Sequence, residues 1–494
     1  MSETALRHEG ASALDRSLAA LRSRVRLDAG EGAAALRVVY AGVAAYAALF
    51  VFAAVVHYLV FKTPRADLGN MVQAVWNTLH GRFLETTTAH GHQRDRLSAH
   101  VDPFLLLFAP LLWVWSSPVL LPVVQAIAVA SGALPVFWLA RKHLESARAG
   151  AHFAFIYLLY PATQYSAFTP SDSFHPVALA VPLVLYAIWL LDEDRLVAFS
   201  LVALLAATTK EEIPLAVGCL GLWCAVRKGR RQFGLTVFAI GLAVTLFDFL
   251  WLIPHFSPTG ANLFISRYRD VGGTPGGMAH KLVTDPLAFV HAAASVHKAV
   301  YLLILLVPVL GLSLLEPLLL LGAVPDLAIN LLSGSTGQTS IAFETTAGIV
   351  PFVVAAAVFG AARFKGRTEG LSLGVLVATC ALALLSPIYV LPGDVSALGS
   401  PAVSAKSHAV SLIPAGVPVS ASNQIGSHLS ERRYVTLFPF GVHARWIIVD
   451  VNDPTYHHPA AFRRKVRTYE STRAWKTVYS SHGVVVLHRE GGGH

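Results

Sequence analysis

Apolar runs of membrane length, separated by short polar breaks, make up most of the chain. The hydrocarbon core of a bilayer takes about 20 consecutive apolar residues in a helix. By that rule the runs at 38–61, 119–140, 149–167, 176–191, 196–209, 213–226, 233–254, 298–314, 317–333, 346–362 and 370–390 predict about eleven transmembrane helices. The run at 104–115 is shorter and ends in Ser116, Ser117 and Pro118, so it reads as a re-entrant or interfacial segment. Beyond about residue 392 the pattern changes. Short β-rich runs at 417–421, 434–438, 446–451 and 484–488 surround a helix signal at 423–430 and a loop at 452–459. The pattern divides the chain into a polar N-terminal segment (1–36), a helical transmembrane domain (37–392) and a small C-terminal α/β domain (393–494).

One polar break is out of proportion. A connector between neighbouring helices needs about 2–8 residues, whereas the break after the first apolar run extends over 62–103. Its first half is amphipathic, with Leu68, Met71, Val72, Val75, Trp76 and Leu79 at helical spacing. The rest is polar and rich in histidine (His80, His90, His92, His100), and the break as a whole holds Asp67, Glu85, Asp95 and Asp102. Long ordered loops tend to carry function. This one predicts one wall of a site at the membrane surface.

Composition agrees. The 494 residues are 54% hydrophobic and 14% charged, with mean hydropathy +0.57, against about 25% charged in a soluble domain. That excludes a soluble protein. The net charge is +9, but in a membrane protein its placement says more than its sum. Arg22, Arg24, Arg26 and Arg37 precede the first run. Arg141, Lys142, Arg148, Arg195, Arg227, Lys228, Arg230, Arg231, Arg363, Lys365 and Arg367 fall in alternate turns. The positive-inside rule then places the N-terminus and these turns in the cytoplasm, and the loop 62–103 and the C-terminal domain outside a multi-pass cell membrane protein. Glu316 and Pro317 would form a tight cytoplasmic turn. No cleavable signal peptide is expected, because the first apolar run starts late and is too long. Cys219, Cys224 and Cys380 all lie in apolar runs, without metal-site spacing and with no disulfide expected.

Four segments fall outside and converge: 62–103, 168–176, 210–212 and 255–297. Lys210, Glu211 and Glu212 interrupt an otherwise apolar stretch, which is costly unless they face water, a partner or a ligand. An ordinary headgroup-level turn is the alternative. Asp67 starts the amphipathic helix; it is either a first-turn or capping Asp worth about 0.5–2 kcal/mol or a catalytic carboxylate. His100 with Asp102, and Asp172 with His175, could be metal ligands, phosphate contacts or structural hydrogen-bonders; such donors suit Zn²⁺ or Mn²⁺. Arg267 and Arg269 sit in a glycine-rich loop and suit phosphate, or are simply solvated. Asp248, Glu316 and Asp326 are embedded acids and therefore functional suspects. Residues 421–426 hold a single glycine, Gly426, and form no phosphate-binding glycine loop. The basic run Arg463, Arg464, Lys465, Arg467, Arg473 and Lys476 is a solvated face or a contact to anionic headgroups or an acidic polymer; nucleic acid is not expected on that side.

With these pieces in place the chain resembles the DUF2079 family of multispanning proteins, itself similar to the GT-C superfamily of membrane glycosyltransferases. The residues that carry the resemblance are Asp67, Leu68 and Gly69 with Gln73, Trp76 and Asn77; His100 to Pro103; Phe174, His175 and Pro176; Lys210, Glu211 and Glu212; Ala421, Ser422 and Asn423 through His428, Leu429 and Ser430; Phe438 and Pro439; Val449 and Asp450. The resemblance implies a GT-C-like helical fold. It also implies transfer of a sugar from a polyprenyl-phosphate donor to an extracytoplasmic glycan, lipid or protein acceptor. Asp67 would be the general base. Lys210, Glu211, Glu212, His100, Asp102, Gln73, Asp172, His175, Arg267 and Arg269 would bind donor phosphate or sugar. It names no organic cofactor and leaves a divalent cation open. GT-C enzymes often pair two acids in the first outer loop; here Leu68 follows Asp67, which makes Asp102 the candidate second carboxylate. Two rival readings remain. One is a transporter or flippase of a lipid or polar solute, although no inverted repeat marks it; the other is a non-catalytic scaffold in envelope assembly.

Overall fold

A computed structural model of the chain describes residues 3–260, 262–440 and 444–489. The first helix, Glu3–Leu59, is 57 residues long and joins the polar start to the first apolar run without a break. Its side chains before Gly30, Arg22, Arg24 and Arg26 among them, lie outside the described residues.

Among the described residues, four helices are long and apolar enough to cross a membrane: Gly30–Leu59, Leu120–His143, Arg231–Phe256 and Thr368–Ala397. The pair Leu287–Ala293 and Val296–Val309, bent by 67°, is either a broken fifth span or a re-entrant loop. Shorter apolar helices of 10–17 residues, among them Pro176–Asp192, Leu196–Ala207 and Ile213–Arg227, fill the bundle. Length and composition therefore establish four or five spans, and the count of about eleven does not follow from them. At the centre, Val350–Ala361 is buried along its whole length, as a helix apolar on every face must be. Its neighbours supply Phe137, Phe153, Tyr157, Leu185 and Ile188 to one continuous core.

The turns rich in Lys and Arg gather at one end of the bundle. There Asp192 is bound by Lys142 at 2.7 Å, His143 at 2.9 Å and Lys228 at 3.3 Å. Glu316 is bound by Arg227 at 3.3 Å and Arg363 at 3.4 Å, which makes it a turn residue, as its place in the chain suggested.

The long loop forms the other end. It folds into a π-helical turn (Arg65–Gly69), a helix (Asn70–Leu79) and a hairpin of β1 (Glu85–Thr87) and β2 (Gln93–Asp95). Leu68, Met71, Val72 and Val75 point into a second core with Leu105, Phe108 and Phe174, so the amphipathic spacing is real. The segment after the loop buries Leu105, Phe108 and Leu112 and leaves Leu107, Leu111, Trp113 and Val114 exposed.

Above the loop sits a five-stranded sheet: β3 (Val419–Ala421), β4 (Val435–Leu437), β5 (Trp446–Asp450), β6 (Trp475–Ser481) and β7 (Val484–Arg489). The order is β4-β3-β5-β7-β6, with β3 parallel to β4 and β5 and the other pairs antiparallel. Four of these strands match the β-rich runs. β6 and the helix Pro459–Glu470 lie outside the elements expected from the sequence: β6 is mostly exposed, and the helix buries Phe462 and Val466. The helix Thr368–Ala397 runs past the composition change near residue 392 before the sheet begins.

Candidate active site

Three loops bring carboxylates to one histidine. Asp67 lies in the π-helical turn Arg65–Gly69, whose cap residue is Pro64; the following helix is capped by Gly69, and neither end uses a side-chain cap. Asp67 is therefore not a capping residue, but it does lie in the first turn. Its Oδ1 lies 3.9 Å from His175 Nε2. Asp172 Oδ2 is 3.7 Å from the same nitrogen, and Glu344 Oε2 is 3.8 Å from it. The loop that holds Asp172 and His175 is fixed from behind: His57 Nδ1 meets Asp394 at 2.7 Å while its Nε2 contacts the Pro170 carbonyl at 3.0 Å. The backbone N–H of His175 donates to Gln125 at 3.0 Å.

Crowding sets the charge of this cluster. Asp67 keeps 34% of its side-chain surface open, yet the protein around it and then the charge of Glu344 push its carboxyl up to about 7. Burial, followed by the Asp67 and Glu344 charges, raises Asp172 to about 9. Glu344 resists burial: His175 and Lys210 hold it down at about 2. Burial lowers His175. Like charges this close cannot all ionise together, so the protons belong to the group as a whole.

The same residues fit a cation. His175 Nε2 is buried and without a hydrogen-bond partner among the described residues. The contacts of 3.7–3.9 Å to three carboxylates are too long for hydrogen bonds. Ligand atoms of Asp67, Asp172 and His175 lie within 4.8 Å of one another. One imidazole and several carboxylates suit Zn²⁺ or Mn²⁺.

Lys210, Glu211 and Glu212 sit in the turn between two apolar helices, and each has a partner. Lys210 Nζ pairs with Glu212 Oε1 at 2.7 Å. Burial disfavours its charge, but Glu212, Glu211 and Glu344 together outweigh that and raise it. Glu211 accepts from the Val101 N–H at 3.0 Å and contacts His100 Nδ1 at 3.0 Å. Against burial, His100 and Lys210 hold it at about 2. The His100 ring stacks on Phe264 at 5.1 Å, and Phe264 lies under Arg267 at 4.3 Å.

The remaining candidates lie elsewhere. Asp102, the expected second carboxylate, is buried and clamped by Arg96 through contacts of 2.9 and 2.5 Å, whereas the acids that meet His175 are Asp67, Asp172 and Glu344. Gln73 is structural: its amide donates to the carbonyls of Arg432 and Arg433 at 3.1 and 2.9 Å and accepts from the Thr87 N–H at 2.9 Å. Arg267 and Arg269 line an open polar cleft of about 300 Å³ with Ser266, Asp270, Gly334 and Ser335, where Arg267 already donates to Gln338 at 3.0 Å. Among the embedded acids, Asp326 is buried beside Glu212.

Sequence reasoning missed Glu344 and Arg96. Glu344 is a lone acid just before a membrane-length run, on the side where the other polar segments were expected, and that position was its only signal. Arg96 stood in a stretch already full of polar residues.

The family described as "Predicted membrane protein (DUF2079)" matches residues 58–486. Among solved structures, ArnT from Cupriavidus metallidurans bound to undecaprenyl phosphate superposes with a TM-score of 0.51 at 12% identity, covering 89% of this chain and 97% of that one. The same protein in the apo state gives 0.50 at 13% identity, covering 90% and 98%. No curated protein matches the sequence. At this identity the likeness is one of fold alone. The match over most of its length makes the chain a member of the DUF2079 family of predicted membrane proteins.

Proposed function

We propose that the protein transfers a sugar from a polyprenyl-phosphate donor to an extracytoplasmic acceptor. The carrying observation is the meeting of Asp67, Asp172 and Glu344, from three separate loops, around His175 at 3.7–3.9 Å. The ArnT-like fold, crystallised in that protein with undecaprenyl phosphate, supports a polyprenyl-phosphate partner. The Lys- and Arg-rich turns lie at the opposite end of the bundle, which by the positive-inside rule supports an extracytoplasmic cluster and sheet domain.

Asp67 takes the proton of the acceptor hydroxyl as that oxygen bonds to the anomeric carbon. The bond from that carbon to the phosphate oxygen breaks, and polyprenyl phosphate leaves with the electron pair. The Asp67 side chain keeps about a third of its surface open and is able to accept that proton. Lys210, partly exposed and charged, would face the negative charge that grows on the leaving phosphate. Asp172, His175 and Glu344, with one oxygen of Asp67, would hold a divalent cation, which would supply Lewis-acid stabilisation of that phosphate. Asp172 keeps its proton in the absence of the ion and so lets Asp67 and Glu344 share the site.

The test is donor turnover by purified protein in lipid with polyprenyl-phosphate sugars. Asp67→Asn is expected to lose about 100-fold or more, in the range that general-base removal gives, with its melting temperature retained. Unchanged turnover rejects Asp67 as the base. No turnover by the wild type, together with lipid-dependent solute movement in vesicles, would replace the proposal with a transporter.

A further inference from the structure

The turn that carries Asp67 is held from above, by the sheet domain. The Ala66 N–H donates to Asn423 Oδ1 at 3.1 Å. The Ser427 hydroxyl donates to the Thr63 carbonyl at 2.9 Å, with Thr63 Oγ1 2.8 Å from the same oxygen. The buried Arg65 guanidinium donates to the Val435 carbonyl at 2.6 Å and also to the Thr87 carbonyl. His428 is sandwiched between Tyr58 at 4.0 Å and Phe61 at 3.9 Å, at the end of the first helix.

Two glycines allow this approach. A Cβ on Gly69 would lie 2.6 Å from Ser430 Oγ, and one on Gly426 would lie 2.8 Å from Arg65 Cβ. The two surfaces are shaped to each other at backbone level, from Arg65–Gly69 on one side to Asn423–Gly426 on the other.

The held turn is π-helical, a winding that is rare, short and often found at functional sites. Were it to relax to α-helical winding by one residue, Asp67 would swing by about 100° around the axis. Its carboxylate would then leave His175. The three bonds from Asn423, Ser427 and Val435 oppose that relaxation.

From this geometry we infer that Asn423 is a positioning residue for Asp67, and that the sheet domain acts as the clamp that sets the base. The inference rests on the reading of Asp67 as the base. Among the described residues the Asn423 side chain accepts from the Ala66 amide and makes no hydrogen bond to the acid cluster. Asp at this position keeps the accepting oxygen, and Ala removes it.

The experiment uses the full chain in lipid, with hydrogen exchange over residues 63–70 measured beside donor kinetics and thermal melts. For Asn423→Ala, exchange in that segment is expected to rise while the melting temperature holds. The kcat should fall by up to about 100-fold, the scale of an ångström-level misplacement, with KM for the donor unchanged. Asn423→Asp should restore both exchange and kcat, and Ser427→Ala should show the same split more weakly. Wild-type exchange at 63–70 in Asn423→Ala overturns the clamp. So does an unchanged kcat, or a kcat loss that follows the melting temperature and is not rescued by Asp. If the wild type turns over no donor, the sugar-transfer reading fails, and the exchange result alone decides whether the clamp exists.

Discussion

Two aspartates of the same loop show how much a single neighbour decides. Asp67 and Asp102 flank the loop alike, but Arg96 grips Asp102 through both carboxylate oxygens, and Asp67 faces His175 at 3.9 Å beside other acids. Asp102 is thus part of the scaffold. Asp102→Asn leaves a buried guanidinium without its counter-charge and is expected to cost about 3–5 kcal/mol, seen as a large drop in melting temperature. Asp67→Asn removes one of three crowded acids and should melt at or above wild type. A stable Asp102→Asn protein would show that Arg96 finds another partner.

At the scale of elements, the motif from Asn423 to Ser430 is where the sheet domain meets the bundle, and His428 reports on that contact. Burial pushes its imidazole down to about 3, from an ordinary value near 6.5. The sign follows from linkage. A ring kept neutral in the folded state adds stability in full above about 6.5, and that stability is lost as pH falls toward about 3. Melting curves of wild type and His428→Phe should diverge across that window, with the wild type losing more as the solution is acidified. Parallel curves would mean that the ring stays solvated and does not anchor the domain. The loop carrying Asp172 is anchored in the same spirit, since Asp394, in the helix Leu391–Ala397, holds His57 and through it the Pro170 carbonyl.

At the scale of the molecule, charge is sorted along the bundle. Buried Asp192 and Glu316 collect the basic turns at one end, and the His175 cluster lies at the other, under the sheet. The orientation this implies can be measured in intact cells with a membrane-impermeant thiol reagent. Arg473→Cys, in the sheet domain, is expected to label and Lys365→Cys, in a basic turn, is not. The reverse pattern would turn the protein over and put the cluster in the cytoplasm, where an extracytoplasmic acceptor cannot reach it.

The linear order of residues was enough to establish a membrane protein, the folded loop after the first span, and most strands of the sheet. These follow from periodicity, which is local: apolar runs are as long as a bilayer is thick, and alternation marks a strand. The candidate polar residues were also visible, because a charge in apolar sequence stands out. What they do was decided only by tertiary structure. Asp67, Asp172 and Glu344 are far apart along the chain, and no spacing rule joins them. Nothing local tells Asp102 from Asp67, or marks Glu344 as a member of the site. Arg96 and His175, each brought in by separate packing, make that distinction, because electrostatics falls off over a few ångströms of space and takes no account of sequence distance.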